Sequence, residues 1–524
     1  MQYWIWLLLF FSTFSVFGQV WVPRGTQGRA PSSISYDAGI SQFNGDSYLY
    51  INPNIAFNNE KGFGLSLSLP VNLLIQDKSP SLDNSKTGAS RYFDYDHKSD
   101  YFRPLNYIWY GNFGERTPGK LSQSFYMGRI IDGRIGNGTI VNHYINNSRF
   151  DIYNAGVIAD INHDMGGVEV FLSSVYTREV GAVRGFIRPL AIGHQIYNAR
   201  NGTSNLSMLQ VRGKVIDEIG RKKVREEIDL TPKPQKESTK TKHSAGTDSM
   251  VDFAGRDPWY NRFTLGYTTA VDTKAPSLLD YTNAGIPIID DSRTPESKET
   301  KRLTVSGIDV NYRILNLKNF ELSPYADFNK IQGLKEGGKG NHYGVMFRVG
   351  NRDINAIIKP EFRLMDPNYI PMYFDSFYEI NRYQQNVGSD VATTKYQELS
   401  NINPYGPKLS GYYHSLTLNF HTISFQISIE DYKGSNNSRV FTGLFIPLGA
   451  NFTFSTFYTK RGFDKNSDAF KVDDKSQGAV EVGFNLGSFI IKLQGLRRYY
   501  FTEDVKGFDS VNEVRLLTSG GMRF

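Results

Sequence analysis

The chain has no cysteine in its 524 residues, which excludes disulfide scaffolds and thiolate metal centres. Long apolar runs are missing after the first twenty residues, and the mean hydropathy is −0.40. A bundle of membrane helices, which needs several runs of about 20 apolar residues, is therefore excluded. Charge of one sign is also scarce. Lys and Arg number 59 against 52 Asp and Glu, a net charge of +7, so no nucleic-acid partner is expected without a basic cluster. The usual catalytic signatures are absent: no HExxH, no GxSxG and no P-loop occur, and GRIGNG at 133–138 has its glycines in the wrong order for a dinucleotide turn. The histidines (His97, His143, His163, His194, His243, His342, His414 and His421) are scattered, and none pairs with another at metal-ligand spacing. No metal, no cofactor and no enzymatic activity are expected, although a Ser, His and Asp from distant strands can meet without any sequence signature.

Aromatic residues and glycine are plentiful: 36 Phe, 32 Tyr and 49 Gly. That aromatic content excludes disorder. By length the chain would make roughly three soluble domains, but one large β-barrel uses the same length without several cores. The first eighteen residues, MQYWIWLLLFFSTFSVFG, carry no charged side chain, run apolar from Tyr3 to Phe11 and end in small residues at Val16 and Gly18. They predict a secretory signal peptide, with a mature chain from near Gln19, a lead-in over 19–33 and a barrel over 34–524.

The last residues, VRLLTSGGMRF, put Val514, Leu516, Thr518, Gly520, Met522 and Phe524 on one face and Arg515, Leu517, Ser519, Gly521 and Arg523 on the other. This pattern resembles the closing strand of bacterial outer-membrane β-barrels. The resemblance implies that Phe524 belongs to the signal read by the barrel-assembly machinery.

Upstream, Val480, Val482, Phe484 and Leu486 alternate against Glu481 and Asn485, and a turn at Gly487 and Ser488 leads into FIIKLQGLRRYYF at 489–501. In that segment Phe489, Ile491, Leu493, Tyr499 and Phe501 fall on one face, opposite Lys492, Gln494 and Arg498. Similar hairpins are read at 412–420 with 423–432, 341–349 with 354–365 and 304–316 with 320–331, and another joins 49–57 to 63–71 across NNEK. Further strands are expected at 105–113, 122–131, 149–161, 168–177, 183–190, 261–271, 438–447, 450–460 and 514–524. These make nineteen. A strand at 34–43, turned by Asn44, Gly45 and Asp46, makes twenty. Long polar connections at 75–104, 272–302, 366–409 and 461–476 alternate with tight turns, as in an outer-membrane barrel with periplasmic turns and external loops. The expected fold is an all-β transmembrane antiparallel barrel of 18–20 strands. Aromatics at strand ends, such as Tyr499, Phe501 and Phe524, are expected to form interfacial girdles. The charged, Pro-containing stretch 191–258 reads as an insertion, periplasmic by strand parity, with strand character at 206–216.

Parity sends Arg313, Arg348, Lys359, Arg363, Lys492, Arg498, Arg515 and Arg523 to the lumen, against Asp309, Glu321, Asp327, Glu361, Glu481 and Glu513. The excess is slightly positive. Cross-strand pairing, such as Glu513 with Arg498 or Lys492, would neutralise much of it. The segment 127–156, MGRIIDGRIGNGTIVNHYINNSRFDIYNAG, interleaves Arg129, Asp132, Arg134 and His143 with glycine and Ile/Val. It either folds inward to line the eyelet of a channel, as in porins, or packs over the mouth. Together with NYIPMYFDSFYEINRY at 368–383, it resembles motifs of an uncharacterised group of bacterial outer-membrane barrels, which implies location and fold only. A barrel this wide must hold water, a plug or a ligand, and the lead-in is too short for a separate plug domain. The expected function is a passive channel for small solutes with slight anion preference. The alternative is a surface adhesin or polysaccharide-binding barrel with a closed lumen, offering 366–409 to an extracellular ligand. The other expected contacts are membrane lipid and the assembly machinery.

Overall fold

Period-two alternation folds into one closed antiparallel sheet in the computed structural model, which describes residues 32–523 apart from 60–61, 79–85, 112–119, 201–257, 291–292, 352, 387–391, 449–451, 488 and 503–505. The sheet has 22 strand segments. Two pairs of these segments are each one interrupted strand, which leaves twenty. In chain order they are β1 (Ser33–Phe43), β2 (Asp46–Asn59), β3 (Phe63–Ser68 with Val71–Gln76), β4 (Leu105–Tyr110), β5 (Ser122–Gly128), β6 (Gly156–His163) and β7 (Gly166–Leu172). There follow β8 (Val180–Ile187), β9 (Phe263–Leu279), β10 (Ser297–Tyr312 with Leu315–Leu317), β11 (Phe320–Gln332), β12 (Lys339–Gly350) and β13 (Ile354–Met365). The last seven are β14 (Leu409–Phe420), β15 (Ile423–Tyr432), β16 (Ser438–Leu448), β17 (Phe452–Phe463), β18 (Ser476–Asn485), β19 (Ile490–Thr502) and β20 (Gly507–Arg523). Each strand pairs with its neighbours in sequence, and β1 closes the ring on β20 from Ser33↔Arg523 to Phe43↔Glu513.

The two faces of the sheet differ as a membrane barrel requires. Ile34, Ile40, Leu493 and Leu516 are 48–56% exposed, whereas Ser41, Lys492, Leu517 and Ser519 on the other face are at most 2% exposed. Closing the ring pairs the strands' backbone groups within the sheet, and an apolar outer surface around a polar, charged interior leaves a lipid-compatible exterior. The chain is a transmembrane β-barrel. No described helix is long and apolar enough to cross a membrane; the crossing is made by strands.

Several expected boundaries shift. The strand read at 149–161 starts only at Gly156, and that read at 122–131 stops at Gly128, because 129–155 leaves the wall. The strands read at 168–177 and 183–190 are Gly166–Leu172 and Val180–Ile187, and β9 runs on to Leu279, so the connection read at 272–302 shrinks to 280–296. The turn at Asn44 and Gly45 shares an end with the long loops, so short connections are not confined to one rim. Tyr499 and Phe501 do not form a girdle. They are 0% and 4% exposed, packed with Phe377, Ile380 and Phe508, and the Tyr499 hydroxyl donates to Asp474 O at 2.8 Å. Of the insertion read at 191–258, the structure describes 191–200, within a helix α1 (Pro189–Arg200), and a short turn at Trp259–Asn261 follows it. The expected strand at 206–216, the signal segment and Phe524 lie outside the described residues.

A two-loop constriction as the candidate functional site

The lumen is crossed by the two segments that stood out in the sequence. After β5, Gly128 takes φ +149, where an added Cβ would meet Asn106 O at 2.4 Å, and the chain turns inward. Residues 129–155 form a finger. Gly133 and Tyr144 exchange backbone hydrogen bonds at 2.9 and 3.0 Å, and every residue from Thr139 to Asp151 is buried. The loop lies against lumenal groups of the wall.

The tip of the finger is held by polar groups of the wall. Asn137 Nδ2 and Thr139 Oγ1 donate to the Asp327 carboxylate at 2.7 and 2.5 Å, Gly136 N donates to Glu169 at 2.8 Å, and Lys359 Nζ donates to Asn137 O. Gly136 (φ +54) lies against the Arg184 side chain, 2.9 Å from where a Cβ would stand, so a larger residue there is both strained and crowded.

The second loop, 366–408, folds in beside the first. Met372 N and Phe374 N donate to Thr139 O and Ile140 O at 2.9 and 3.1 Å, and Asn142 N donates back to Phe374 O at 3.2 Å. Val141, Tyr144, Tyr373, Phe374 and Tyr378 are at most 1% exposed and pack on Ala270, Leu303, Val305, Ile331 and Met365 of β9, β10, β11 and β13. The wall is apolar at those lumenal positions, so loop aromatics rather than water cover it. The part of 366–409 expected to face a partner is therefore largely inside. Residues 371–382 are all buried except the partly covered Glu379, and they include the short helix α2 (Tyr378–Asn381).

Ion pairs fasten this loop. Arg439 of β16 pairs with Asp375 and lies 2.6 Å from Glu430. Arg382 reaches Glu179 at 2.6 Å and Asp272 at 3.1 Å, and Tyr378 donates to Asp272 at 2.7 Å. Lys395, at the start of α3 (Lys395–Asn401), donates to Tyr373 O at 2.7 Å; burial pushes its ammonium down to about 8 against the pull of Asp375. Burial also pushes the Glu379 carboxyl up to about 7, Arg382 opposing, and Glu379 accepts the Tyr144 hydroxyl, which links the loops.

His143 ties the finger to the opposite wall. Its Nδ1 lies 2.8 Å from Asp132, its Nε2 2.9 Å from the Ser428 hydroxyl, and its ring stacks on Phe441 at 4.1 Å. Ser, His and Asp thus meet from distant positions with the connectivity of a hydrolase relay, with Ser428 only 4% exposed; the bonds join the finger to β15.

The lumenal charges are mostly paired. Glu361 binds Arg363 at 2.6 Å, His342 at 3.0 Å and Tyr325 at 2.5 Å. Glu321 binds Arg313 at 3.0 Å and lies 3.9 Å from Arg348, Arg363 also reaches Glu430, and Lys359 lies 4.0 Å from Glu361. Arg184 spans Asp309 at 2.7 Å and Glu169 at 2.6 Å. Glu481 accepts from Gln494 at 2.5 Å. Glu513 takes Arg498 at 3.3 Å, as one expected pair has it, but Lys492 goes to Asp37 at 2.8 Å. The side chains of Arg523 and Phe524 are outside the described set. Between the finger tip and the wall of β6 to β12 lies a cavity of about 170 Å3, lined by Arg134, Asn137, Asp160, Glu169, Arg188 and Arg313 among others.

Sequence reasoning missed Arg184, Glu430 and Arg439, whose strand parity was a usable signal. It also missed Arg91, Asp375, Arg382 and Lys395, whose loop positions carry none.

No protein-family profile and no curated protein matches the chain. Solved structures that align with it include OpdL of Pseudomonas aeruginosa (8% identity over 94% of this chain and 99% of that one, TM-score 0.28) and the P. aeruginosa outer membrane protein OpdK (6% identity over 94% and 98%, TM-score 0.28). OccK11 (OpdR) of the same organism aligns at 9% identity over 96% and 98%, with a TM-score of 0.30.

Proposed function

We propose that this chain is an outer-membrane channel for passive passage of small solutes, narrowed by its two inward loops and exported by its N-terminal signal. The observation that carries this reading is the lumen itself. A twenty-strand barrel is too wide for wall side chains to fill, its inward face is lined with charged groups, and the loops narrow it while leaving a charged cavity beneath the finger tip. Selectivity is then set where charges act at close range. With Arg129 and Arg134 on the finger against Asp132, the preference is slightly for anions. Conductance of the purified barrel in planar bilayers tests the reading. Small steps are expected, with reversal potentials in a salt gradient slightly favouring chloride and shifted toward cations by Arg134→Glu. A strongly cation-selective wild type would show that the finger does not set selectivity.

A second reading, a surface adhesin or polysaccharide-binding barrel with a closed lumen, is favoured by one observation: Val141 and Tyr144 of the first loop and Tyr373, Phe374 and Tyr378 of the second share one buried cluster inside the barrel. Silence in bilayers from correctly folded protein would select it.

A further inference from the structure

At the foot of the finger, guanidinium groups outnumber the carboxylates that serve them. Glu513, on the lumenal face of β20, takes Arg91 at 3.1 Å, Arg515 at 3.0 Å and Arg498 at 3.3 Å. Arg91 has a second carboxylate in Asp94 at 2.7 Å. Among the described residues Arg498 and Arg515 have only Glu513. A fourth guanidinium, Arg129, stands close enough to Arg498 and Arg515 for the like charges to act on one another. It makes no ion pair with any described residue, and its buried Nε has no hydrogen-bond partner. Neighbouring hydroxyls are committed elsewhere: Tyr126 donates to Arg129's own carbonyl at 2.8 Å and Tyr153 to Leu105 O at 2.7 Å. Lys492, on the same face of β19, is matched by Asp37 at 2.8 Å, so the imbalance is local to this corner.

A buried charge without a counter-charge is costly, and guanidinium groups in excess of their carboxylates offer forked donors that fit a planar or tetrahedral oxyanion. Exposure separates donors from acceptor. The Arg498 and Arg515 side chains are 17% and 13% exposed, while Glu513 is 3% exposed, so the donors reach open space and the carboxylate does not. We propose that Arg129, Arg498 and Arg515 form a binding site within the barrel for a small oxyanion, a phosphate- or carboxylate-bearing solute. The site deepens the channel reading and rests on it for the fate of the bound anion; binding itself is measured separately.

The test is calorimetric titration of the purified, folded full-length protein with inorganic phosphate and, separately, acetate, at ionic strength held constant with KCl. Saturable binding of at least one is expected, and which one binds fixes the oxyanion class. Arg129→Gln and Arg498→Gln should each weaken it roughly 10- to 100-fold, and Lys408→Gln, at a solvent-exposed loop position, should not. Folding is checked by heat-modifiable mobility and Tm. Because Arg129→Gln removes a charge that has no partner, the anion-free Tm should stay or rise; a fall would assign Arg129 a structural role and overturn the proposal. Absence of saturable binding to wild type, or equal binding by both Gln variants, also overturns it. Conductance without binding sinks the site and leaves the channel reading standing, while binding with silent bilayers sinks the channel reading and leaves the site.

Discussion

Val141 of the first inward loop and Phe374 of the second are partners in a parallel bridge inside the barrel, both with no exposed surface. There the two loops bond each other through backbone groups, over apolar wall positions of β9, β10, β11 and β13. Phe374→Ala removes a ring from this contact, a change that typically costs about 3–5 kcal/mol in a packed core. The loss should fall on the loops and not on the strand ladder. The expected result is a barrel with normal heat-modifiable mobility and larger single-channel conductance; unchanged conductance would show that the loops do not limit the path.

The Glu379 carboxyl gives the loop contact a pH dependence. Burial raises it to about 7 from an ordinary value of 4.5, so the packed state binds its proton more tightly than the released state does. Stability from this group is fully present below about pH 4.5 and is lost as pH rises through about 7, on the order of 3 kcal/mol in all. Hydrogen exchange over 371–384 should speed up between those limits, and Glu379→Gln should flatten the profile. Equal pH dependence in the variant would assign the effect to another group.

Topology can be read with trypsin on intact cells. Lys408, 74% exposed at the end of the second loop, should be cut from outside, whereas Lys318, exposed in the turn between β10 and β11, should be cut only after permeabilisation. The reverse order would invert the barrel in the membrane.

Biogenesis offers a further check. By the alternation of the sequence Phe524 continues the pattern of Leu516 and Met522, which are 56% and 52% exposed, and Phe524→Asp would put a charge into that pattern. Export should be normal while folded barrel falls, as judged by heat-modifiable mobility. Undiminished folded protein would remove Phe524 from the assembly signal.

The strands were legible because alternation fixes which residues share a face. SISYDAGISQF at β1 and FIIKL entering β19 read correctly from that alone. What covers a face was not legible. Tyr499 and Phe501 alternate as lipid-facing residues do, yet residues 377–384 lie over them. SRFDIYNAG at 148–156 also alternates, but Arg149 pairs with Asp151 at 2.6 Å and Phe150 packs on Phe43 and Phe93, so the stretch belongs to the finger. One signal went unused. Ala270, Leu303, Val305 and Ile331 are apolar at lumenal positions where their neighbours are charged, which calls for something apolar to cover them. The partners of Asp375, Arg382 and Lys395 have no such mark, because they meet side chains of distant strands only once the loop is inside.

The pairing of β1 with β20 along all 11 residues of β1 bears on how the molecule is made. A ring of strands has no edge, but the same strands in a growing chain have two, and each is a row of unsatisfied amides and carbonyls ready to join another sheet. The seam joins strands far apart in sequence, the most distant strand pairing in the described sheet and hence slow to find. The nascent polypeptide must therefore be sheltered through its entire passage, and a fragment lacking either seam strand should accumulate as an aggregate instead of a smaller pore.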